Sequence, residues 1–321
     1  MTIRIAGTGI GLPARRVSND ELAEVAGLDT SDEWIRTRTG IGERRIATTE
    51  TLADLATTAA RGALADAGID ASEIDYLLVA TLAGDTRTPA LACHIAERLG
   101  MTCAAADVNA ACTGFLYALD LAAGLVARGR AGRVLIVSAE KMSAHVDWQD
   151  RSTAVLFGDG ASACVVVPGN ALKFIHVGVQ PDTRTISLPN DMTGSNPFAE
   201  VTHPAGPLFM DGQTVFKYAV RMMEQGIQRA LDGLELPPEA IDHYLIHQAN
   251  RRIIDFAISR LRQPPEKFPM NVEHYGNTSA VSIPLLMHEM RGAGLIEPGQ
   301  RLLLVAFGAG MTHGSAVLEW E

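Results

Sequence analysis

The sequence predicts a layered α/β fold made of two similar halves, residues 1–169 and 170–321. Strand-like and helix-like segments alternate along the chain, which favours sheets covered by helices on both faces. The order β-α-β-α-β-α-β-β in the first half returns in the second, and the turn-forming Pro168-Gly-Asn170 separates the two. Two such halves stacked together give five layers, α/β/α/β/α. A single doubly wound sheet is the alternative, because only the order of elements repeats and not the residues themselves.

The first half opens with an apolar strand at residues 3–7. Ser18 followed by Glu21 has the form of a helix capping box. Thr88-Pro89 is expected to open a later helix by an N-cap and a first-turn proline, and Gly100 to close it. The other expected elements are a helix at 51–67, strands at 76–81 and 105–108, a helix at 112–128, and strands at 134–138 and 161–167.

The second half follows the same order of elements. Its expected elements are a strand at 174–179, a helix at 212–231, a strand at 244–246, a helix at 250–261, a short segment at 268–272 in the place of the third strand, a helix at 278–291, and strands at 302–307 and 316–319. Residues 181–207 fit no regular element. Because long irregular loops in a compact domain are often functional, this stretch is expected to cover a binding tunnel.

Composition narrows the class of protein. With 321 residues and 47% hydrophobic content, the chain can bury a large core. It contains no apolar run long enough for a membrane helix, no signal sequence and no cysteine spacing typical of disulfides or zinc, so a reduced, cytoplasmic protein is expected. The net charge of −10 argues against nucleic-acid binding. It would also repel an acidic carrier protein unless a basic patch forms locally.

Cys112 lies where a short apolar strand turns into a helix, in the stretch Asp107-Val-Asn-Ala-Ala-Cys112. Unpaired N–H groups and the helix dipole favour negative charge at such a point, so the thiolate is expected to be stabilised. A thiolate that attacks a thioester forms a new thioester of similar energy, which suits an acyl-holding intermediate. The simpler alternative is a small buried apolar residue, and this is the role we assign to Cys93, Cys103 and Cys164.

Two polar residues of the second half lie at comparable points. His247 follows an apolar strand directly, and the carboxyl-terminal ends of strands are where open α/β sheets place their active-site residues. Asn277 lies in a Gly-Asn turn just before the third helix of its half, as Cys112 does in the first half. A pseudo-two-fold axis would bring both helix starts to one cleft. Taken alone, His247 is equally well explained as a bystander.

Two other patterns invite hypotheses about binding sites. The stretch Gly7-Thr-Gly9-Ile-Gly11 follows a strand, but Leu12-Pro13 stands where a dinucleotide-binding fingerprint needs its third glycine and a continuing helix. A tight turn under the cleft is therefore preferred. His243 and His247 share one face of a strand but are too far apart to form a metal pair, so no metal site is expected.

Motifs along nearly the whole chain resemble those of β-ketoacyl-acyl-carrier-protein synthase III, the thiolase-fold condensing enzymes that initiate dissociated fatty acid synthesis. The matching stretches, which follow the family's order, are residues 30–40, 107–119, 157–160, 247–250, 275–280, 298–299 and 307–310. The resemblance implies a thiolase-like form of the five-layered fold. It also implies a decarboxylative Claisen condensation of an acyl-CoA primer with malonyl-acyl carrier protein (malonyl-ACP).

The resemblance further implies the role of each catalytic residue. Cys112 would carry the acyl group, while His247 and Asn277 would donate hydrogen bonds to the malonyl thioester oxygen as it becomes an enolate. The backbone N–H groups of Cys112 and Ala309 would hold the second oxyanion. The reaction implied in this way uses coenzyme A (CoA) thioesters as substrates and needs no metal or redox cofactor.

The binding residues are carried over from the same motifs. The implied CoA contacts are Trp34, Arg38, Arg151, Gly212 and Asn250. The implied carrier-docking segment is Gln248, Ala249, Asn250, Arg251 and Arg252, to which Lys217 and Arg221 would add positive charge. The implied acyl pocket contains Leu82, Thr88, Phe157 and Leu188. Packing for Trp34 and solvated surface charge for the arginines are the simpler alternatives.

Some positions depart from the family's pattern. Leu82 and Thr88 replace a small polar residue and an aromatic residue near the pocket floor, and His313 replaces a tryptophan. A smaller residue at position 88 would lengthen or reshape the pocket, so a strict acetyl preference is not implied. A homodimer is expected by resemblance alone. The competing hypotheses are an acyltransferase or synthase of secondary metabolism on the same scaffold and a non-catalytic protein that binds acyl carriers.

Overall fold

The computed structural model describes residues 2–189 and 206–321. The elements of the first half are β1 (Thr2–Gly11), β2 (Arg16–Ser18), α1 (Asn19–Ala26), α2 (Asp32–Thr39), β3 (Glu43–Arg45), α3 (Leu52–Ala67), β4 (Tyr76–Ala80), α4 (Leu91–Leu99), β5 (Ala104–Val108), α5 (Gly114–Ala127), β6 (Val134–Lys141), α6 (Arg151–Ala154) and β7 (Asp159–Gly169). Those of the second half are β8 (Leu172–Asp182), β9 (Ile186–Ser187), β10 (Phe209–Met210), α7 (Gly212–Leu234), β11 (His243–Ile246), α8 (Arg251–Leu261), α9 (Val272–Tyr275), α10 (Ser282–Gly292), β12 (Arg301–Gly308) and β13 (Gly310–Glu319).

Each half contributes one main sheet. The first has the strand order β1-β7-β6-β4-β5, and the second has the order β11-β12-β13-β8. The second sheet is one strand shorter because residues 268–272 form no strand: a 3₁₀ turn, Pro265–Lys267, precedes them and α9 begins at Val272. The expected third strand of the second half is therefore wrong. The division into domains at residues 169 and 170 stays a prediction.

The two sheets and their helices stack in five layers. Helices α3 and α4 cover the outer face of the first sheet, and α7 and α8 cover the outer face of the second. Helices α5 and α10 lie between the sheets, where Leu116 and Met287 share one buried cluster with Ile136 of the first sheet and Leu304 of the second. The predicted α/β/α/β/α arrangement is confirmed, and it leaves the starts of the two central helices close together.

The glycines of β1 have a packing role. The strand continues through Gly7 and Gly9 to Gly11, so the expected tight turn is wrong. A Cβ atom on Gly9 would lie 2.3 Å from the backbone oxygen of Ala59 in α3, and one on Gly11 would lie 2.0 Å from that of Leu55. Glycine is needed here because the helix backbone lies directly on the strand.

Several local predictions can be compared with the helix ends. Ser18 is an N-cap as its pattern indicates, whereas Thr51 and Asn250, predicted as the first residues of their helices, are also N-caps; each of the three accepts a hydrogen bond from the following turn. Thr88-Pro89 does not open α4. This helix begins at Leu91, and the carboxylate of Asp107 accepts its first free N–H groups at 2.8 Å. A residue distant in sequence therefore supplies the cap.

The stretch at 181–207 is only partly irregular. Its first residues end β8, and Ile186–Ser187 pairs with Phe209–Met210 in a two-stranded antiparallel sheet. Residues 190–205 of the predicted tunnel cover lie outside the described residues. Within the described ranges, no helix is long and apolar enough to cross a membrane.

Candidate active site

One cavity of about 650 Å³ contains the three residues of the predicted triad. Cys112 comes from the turn between β5 and α5, His247 from the end of β11, and Asn277 from the segment before α10. Ala309, from the loop between β12 and β13, lines the same cavity. The fold thus brings together four residues that are widely separated in the chain.

The turn that carries Cys112 is tightly held. It is a 3₁₀ turn, Ala111–Thr113, in which Ala111 has the unusual φ of 49°. The loop between β12 and β13 packs directly against it, because a Cβ atom on Gly308 would lie 2.8 Å from the nitrogen of Cys112. The backbone next to Ala309 therefore lies beside the backbone N–H of the cysteine. Cys112 and Ala309 also line the same cavity, and the pairing of their N–H groups in an oxyanion hole stays a prediction.

The segment that carries Asn277 repeats the local structure of the cysteine turn. Its 3₁₀ turn begins at Ser279 with a φ of 53°, as the first turn begins at Ala111. The Oδ1 atom of Asn277 accepts the Ser279 N–H at 2.8 Å, and that of Asn109 accepts the Ala111 N–H at 3.3 Å. By structure, Asn277 therefore corresponds to Asn109, not to Cys112 as expected from the sequence. Since Oδ1 is engaged, the remaining donor of the Asn277 amide is Nδ2.

His247 is a buried, neutral imidazole. Its Nδ1 lies 2.7 Å from the hydroxyl of Ser282, and that hydroxyl also accepts the N–H of Gln248 at 3.4 Å. Ser282 can therefore donate its hydroxyl proton to Nδ1, and in this arrangement the ring proton is on Nε2. Burial lowers the pKa of His247 to about 3. The ring also packs edge-on against Phe307, with centroids 5.4 Å apart. His247 can donate one hydrogen bond without carrying charge.

Cys112 rests as a thiol. Burial raises its pKa to about 12, while the side chain of Ser279 lies within hydrogen-bonding reach and opposes part of this rise. The buried carboxyl of Glu140 adds to the rise, because a second negative charge nearby disfavours a thiolate. The expected stabilisation of the thiolate is therefore wrong for the free protein, because desolvation by burial, the largest cause, raises the pKa of the thiol.

The residues predicted to contact CoA form two connected groups. Gly212 and Asn250 line the cavity itself. Trp34 lies outside the lining, and the Cζ atoms of Arg38 and Arg151 are 4.5 Å and 4.6 Å from its indole centroid. The Asn250 side-chain amide donates to the carbonyl oxygen of Arg38 at 3.1 Å and so joins the groups. A cationic aromatic cluster thus adjoins the wall of the cavity.

The predicted carrier-docking segment is only partly available to a partner. Gln248 is 1% exposed, donates to the Ile246 carbonyl oxygen at 2.8 Å and accepts the N–H groups of Asn271 and Val272 at 3.1 Å and 3.3 Å. It is a structural link and not a docking residue, so that assignment is wrong. Ala249 and Asn250 line the cavity. The exposed basic side chains nearby are Arg251, Arg252, Lys217 and Arg221.

The acyl pocket contains most of the predicted residues. Leu82, Phe157 and Leu188 line the cavity. Thr88 is exposed and does not line the cavity within the described residues of this chain, so its assignment to the pocket stays a prediction. Further apolar walls come from residues that the sequence did not single out, namely Met142, Leu156, Ile186, Leu208, Met210, Val215, Phe216 and Ile253. For Val215 and Phe216, which lie on α7, the only indication in the sequence is the amphipathic pattern of the first turn of that helix.

Comparisons with known proteins identify the family. The family model described as 3-oxoacyl-[acyl-carrier-protein (ACP)] synthase III matches residues 106–182, and its C-terminal companion matches residues 231–320. The β-ketoacyl-[acyl-carrier-protein] synthase III of Clostridium acetobutylicum is 41% identical over 99% of both chains. The chain belongs to the β-ketoacyl-acyl-carrier-protein synthase III family. It is a condensing enzyme of the acyltransferase class.

Solved structures of the synthase III family have the same fold. The crystal structure of the Aquifex aeolicus enzyme superposes with a TM-score of 0.91 at 39% identity, and 99% of this chain and 100% of that one are covered. A priming β-ketosynthase of the R1128 polyketide biosynthetic pathway superposes with a TM-score of 0.89 at 35% identity, over 99% and 96% of the chains. The thiolase-like fold predicted from the sequence is confirmed.

Proposed function

We propose that this synthase III condenses an acyl-CoA primer with malonyl-ACP and so begins fatty acid synthesis. The observation that carries the proposal is the meeting of Cys112, His247 and Asn277 on one cavity, where the last two present neutral N–H donors. A thiol nucleophile beside two such donors suits a reaction that passes through a thioester and an enolate.

In the first half-reaction, the Cys112 sulfur attacks the thioester carbon of the primer. The tetrahedral intermediate carries a negative oxygen, which the backbone N–H groups of Cys112 and Ala309 stabilise. When the intermediate collapses, the bond from carbon to the CoA sulfur breaks and CoA leaves as a thiolate. The acyl group is then held on Cys112 in a cavity lined by Leu82, Phe157 and Leu188.

In the second half-reaction, the malonyl thioester loses its carboxylate as carbon dioxide. The electrons move into the thioester, whose oxygen becomes an enolate and accepts hydrogen bonds from His247 Nε2 and Asn277 Nδ2. Preorganised donors of this kind are worth about 10²–10³ in rate each. The enolate carbon then attacks the acyl-Cys112 thioester and expels the cysteine sulfur. Every step uses groups of the protein and the two substrates, so the proposal invokes no metal or redox cofactor.

Two regions near the cavity are suited to binding CoA and the acyl carrier protein. The Trp34 cluster offers an indole for stacking against adenine and the guanidinium groups of Arg38 and Arg151 for phosphates. The exposed arginines at the start of α8 supply positive charge for an acidic carrier protein, despite the net charge of −10. The cytoplasmic location stays a prediction.

The proposal includes a homodimer. Strand β5 is an edge strand of the first sheet, and an unpaired edge is open to pairing with another strand. Beside it lies a groove lined by Tyr76, Val108 and Leu125, at which Leu121 is 47% exposed. A second copy, paired antiparallel along β5, would cover both features.

A charged substitution tests this interface. Leu121→Asp is expected to give a monomer in size-exclusion chromatography with light scattering. Leu295 is 57% exposed away from the groove, so Leu295→Asp is the matched control and is expected to remain a dimer. A wild-type monomer would contradict the assembly.

The reaction is tested by incubating the protein with an acyl-CoA primer and malonyl-ACP. The expected products are a β-ketoacyl carrier and carbon dioxide. His247→Ala and Asn277→Ala are each expected to retain acylation of Cys112 and to lose decarboxylation by about 10²–10³-fold. Acyl transfer to the carrier without release of carbon dioxide would instead favour a simple acyltransferase. A panel of primers of different length defines which acyl groups the cavity accepts.

A further inference from the structure

Glu140 is a buried carboxyl group beside the active site for which the two half-reactions above have no role. It lies at the end of β6 and is 1% exposed. Its Oε1 accepts the hydroxyl of Ser279 at 3.1 Å, and its Oε2 accepts the N–H of Leu82 at 3.1 Å. Burying a carboxyl group is costly, so a buried carboxyl next to a reacting thiol calls for a physical explanation.

Ser279 connects Glu140 to the nucleophile. The 3₁₀ turn that begins at Ser279 packs against the turn of Cys112 and against β6. A serine hydroxyl has one proton to donate and lone pairs to accept another. While Ser279 donates to Glu140, its oxygen keeps lone pairs that can accept the thiol proton of Cys112, and hydrogen bonding by the Ser279 side chain lowers the pKa of that thiol. The three groups can therefore act as a relay in the order thiol, hydroxyl, carboxylate.

We propose that Glu140 takes up the proton of the Cys112 thiol through Ser279 during acylation and returns it during condensation. The inference rests on the proposed function, because it supplies the proton path for the acylation of Cys112. During attack on the primer, the S–H bond breaks and a proton passes to Ser279 Oγ. The proton already on Ser279 moves to Glu140 Oε1, while the new S–C bond forms and CoA leaves as a thiolate that takes a proton from solvent. When condensation expels the Cys112 thiolate, the stored proton returns to it by the same route.

Electrostatics favour one shared proton over two separate ionisations. A thiolate on Cys112 and a carboxylate on Glu140 repel each other. The loss of a proton from Cys112 therefore favours the uptake of a proton by Glu140. The charged group facing Glu140 from β7 is Asp159, and its other neighbours are the uncharged donors of Leu82, Ser279 and Ala280. Burial raises the pKa of Glu140 to about 8, so the protonated form suits the acyl-enzyme.

Among the described residues of the cavity, the other polar groups are poor proton acceptors. Burial lowers the pKa of His247 to about 3, and its Nδ1 is already engaged by Ser282. The Asn277 amide does not titrate. Lys141, next to Glu140 in β6, donates to the carbonyl oxygen of Glu50 instead.

The test measures single-turnover acylation of Cys112 by an acyl-CoA between pH 6 and 10, using intact-protein mass spectrometry. In the wild type, the rate is expected to rise with pH through about 8 as Glu140 ionises, then level off, with a normal solvent deuterium isotope effect. Glu140→Gln keeps the shape and an acceptor oxygen but cannot take up a proton. It is expected to slow acylation at pH 7.5 by about 10²-fold or more and to lack the inflection near pH 8.

The sign of the effect separates this role from simple electrostatics. Removing a nearby negative charge lowers the pKa of a thiol, so a purely electrostatic Glu140 predicts faster acylation in Glu140→Gln. Equal or faster acylation, or an unchanged pH profile, would overturn the proposal. Carbon dioxide release from malonyl-ACP without primer needs no cysteine proton, so its rate is expected to change less than about twofold in Glu140→Gln. Loss of both acylation and decarboxylation would show that the substitution disrupts the whole site, and would refute a specific proton path.

A second variant keeps the proposal testable if Glu140→Gln folds poorly. Ser279→Ala removes the middle of the relay, and alanine is tolerated at this φ because Ala111 occupies the equivalent place at 49°. It is expected to slow acylation as Glu140→Gln does. The matched control is Ser138→Ala, which removes a buried hydroxyl on the same face of β6 and is expected to leave the rate unchanged. If the wild type itself is not acylated, the proposed function fails. If the wild type is acylated and both variants are acylated at the same rate, only the relay fails.

Discussion

Ser282→Ala removes the hydroxyl that fixes the tautomer of His247. In the proposed mechanism, Ser282 donates across 2.7 Å to Nδ1, so the ring proton is on Nε2, where the enolate oxygen needs a donor. Alanine leaves the ring in place, because Ser282 and His247 are both buried at the start of α10 and the end of β11. The ring proton is then free to occupy either nitrogen.

The size of the effect follows from one buried hydrogen bond. Such a bond contributes about 0.5–1.5 kcal/mol net. Since about 1.4 kcal/mol corresponds to a factor of ten, the decarboxylation rate is expected to fall about 2- to 12-fold. This is less than the loss of about 10²–10³ expected when a donor is removed entirely.

The assay follows two signals in the same samples: carbon dioxide release from malonyl-ACP and acylation of Cys112 by mass spectrometry. Ser282→Ala is expected to slow the first and leave the second unchanged. Ser315→Ala is the matched control, because it removes a buried hydroxyl of β13 that is not hydrogen-bonded to His247. Full decarboxylation in Ser282→Ala, or a parallel loss of acylation, would refute the assignment of the tautomer.

Three further variants, one of them a double substitution, have defined outcomes. Gln248→Ala removes three buried hydrogen bonds, which together contribute about 3 kcal/mol to the free energy of unfolding. It is expected to lower the Tm measured by calorimetry by about 4 °C. A changed KM for malonyl-ACP at an unchanged Tm would contradict the structural role of Gln248. Charge reversal by Arg251→Glu with Arg252→Glu is expected to raise the KM for malonyl-ACP more than that for acyl-CoA, and the difference should shrink at high salt; equal effects on both would count against docking at α8. Gly9→Ala places a Cβ 2.3 Å from the Ala59 oxygen and is expected to destabilise the fold by about 1–3 kcal/mol, and an unchanged denaturant midpoint would argue against the tight packing of β1 on α3.

The elements that the sequence predicts well are those with local signals. The helix predicted at residues 51–67 runs from Leu52 to Ala67, with a capping threonine before it and a left-handed Gly68 after it. The positions of Cys112 and His247 follow from a strand running into a helix, which is also a local pattern. Their meeting on one cavity follows from the repeated order of elements, because stacked sheets bring the central helix starts together.

The features that the sequence misses depend on contacts between distant residues. Asp107 caps α4 across the sheet, which no pattern near Thr88 reveals. Gln248 is a polar residue typical of a surface loop, yet its side-chain oxygen accepts hydrogen bonds from the backbone N–H groups of Asn271 and Val272 at the start of α9. The charge state of Cys112 depends on burial and on Glu140, a residue of another strand, so a helix-start argument alone gives the wrong direction.

The most direct measurement maps the acyl adduct on the protein. After incubation with an acyl-CoA, peptide mass spectrometry is expected to find one acyl group on the peptide that contains Cys112, none on the peptides of Cys93, Cys103 or Cys164, and no adduct in Cys112→Ala. Addition of malonyl-ACP is expected to discharge the adduct as a β-ketoacyl carrier. An unmodified Cys112, or an adduct that malonyl-ACP does not discharge, would contradict the account.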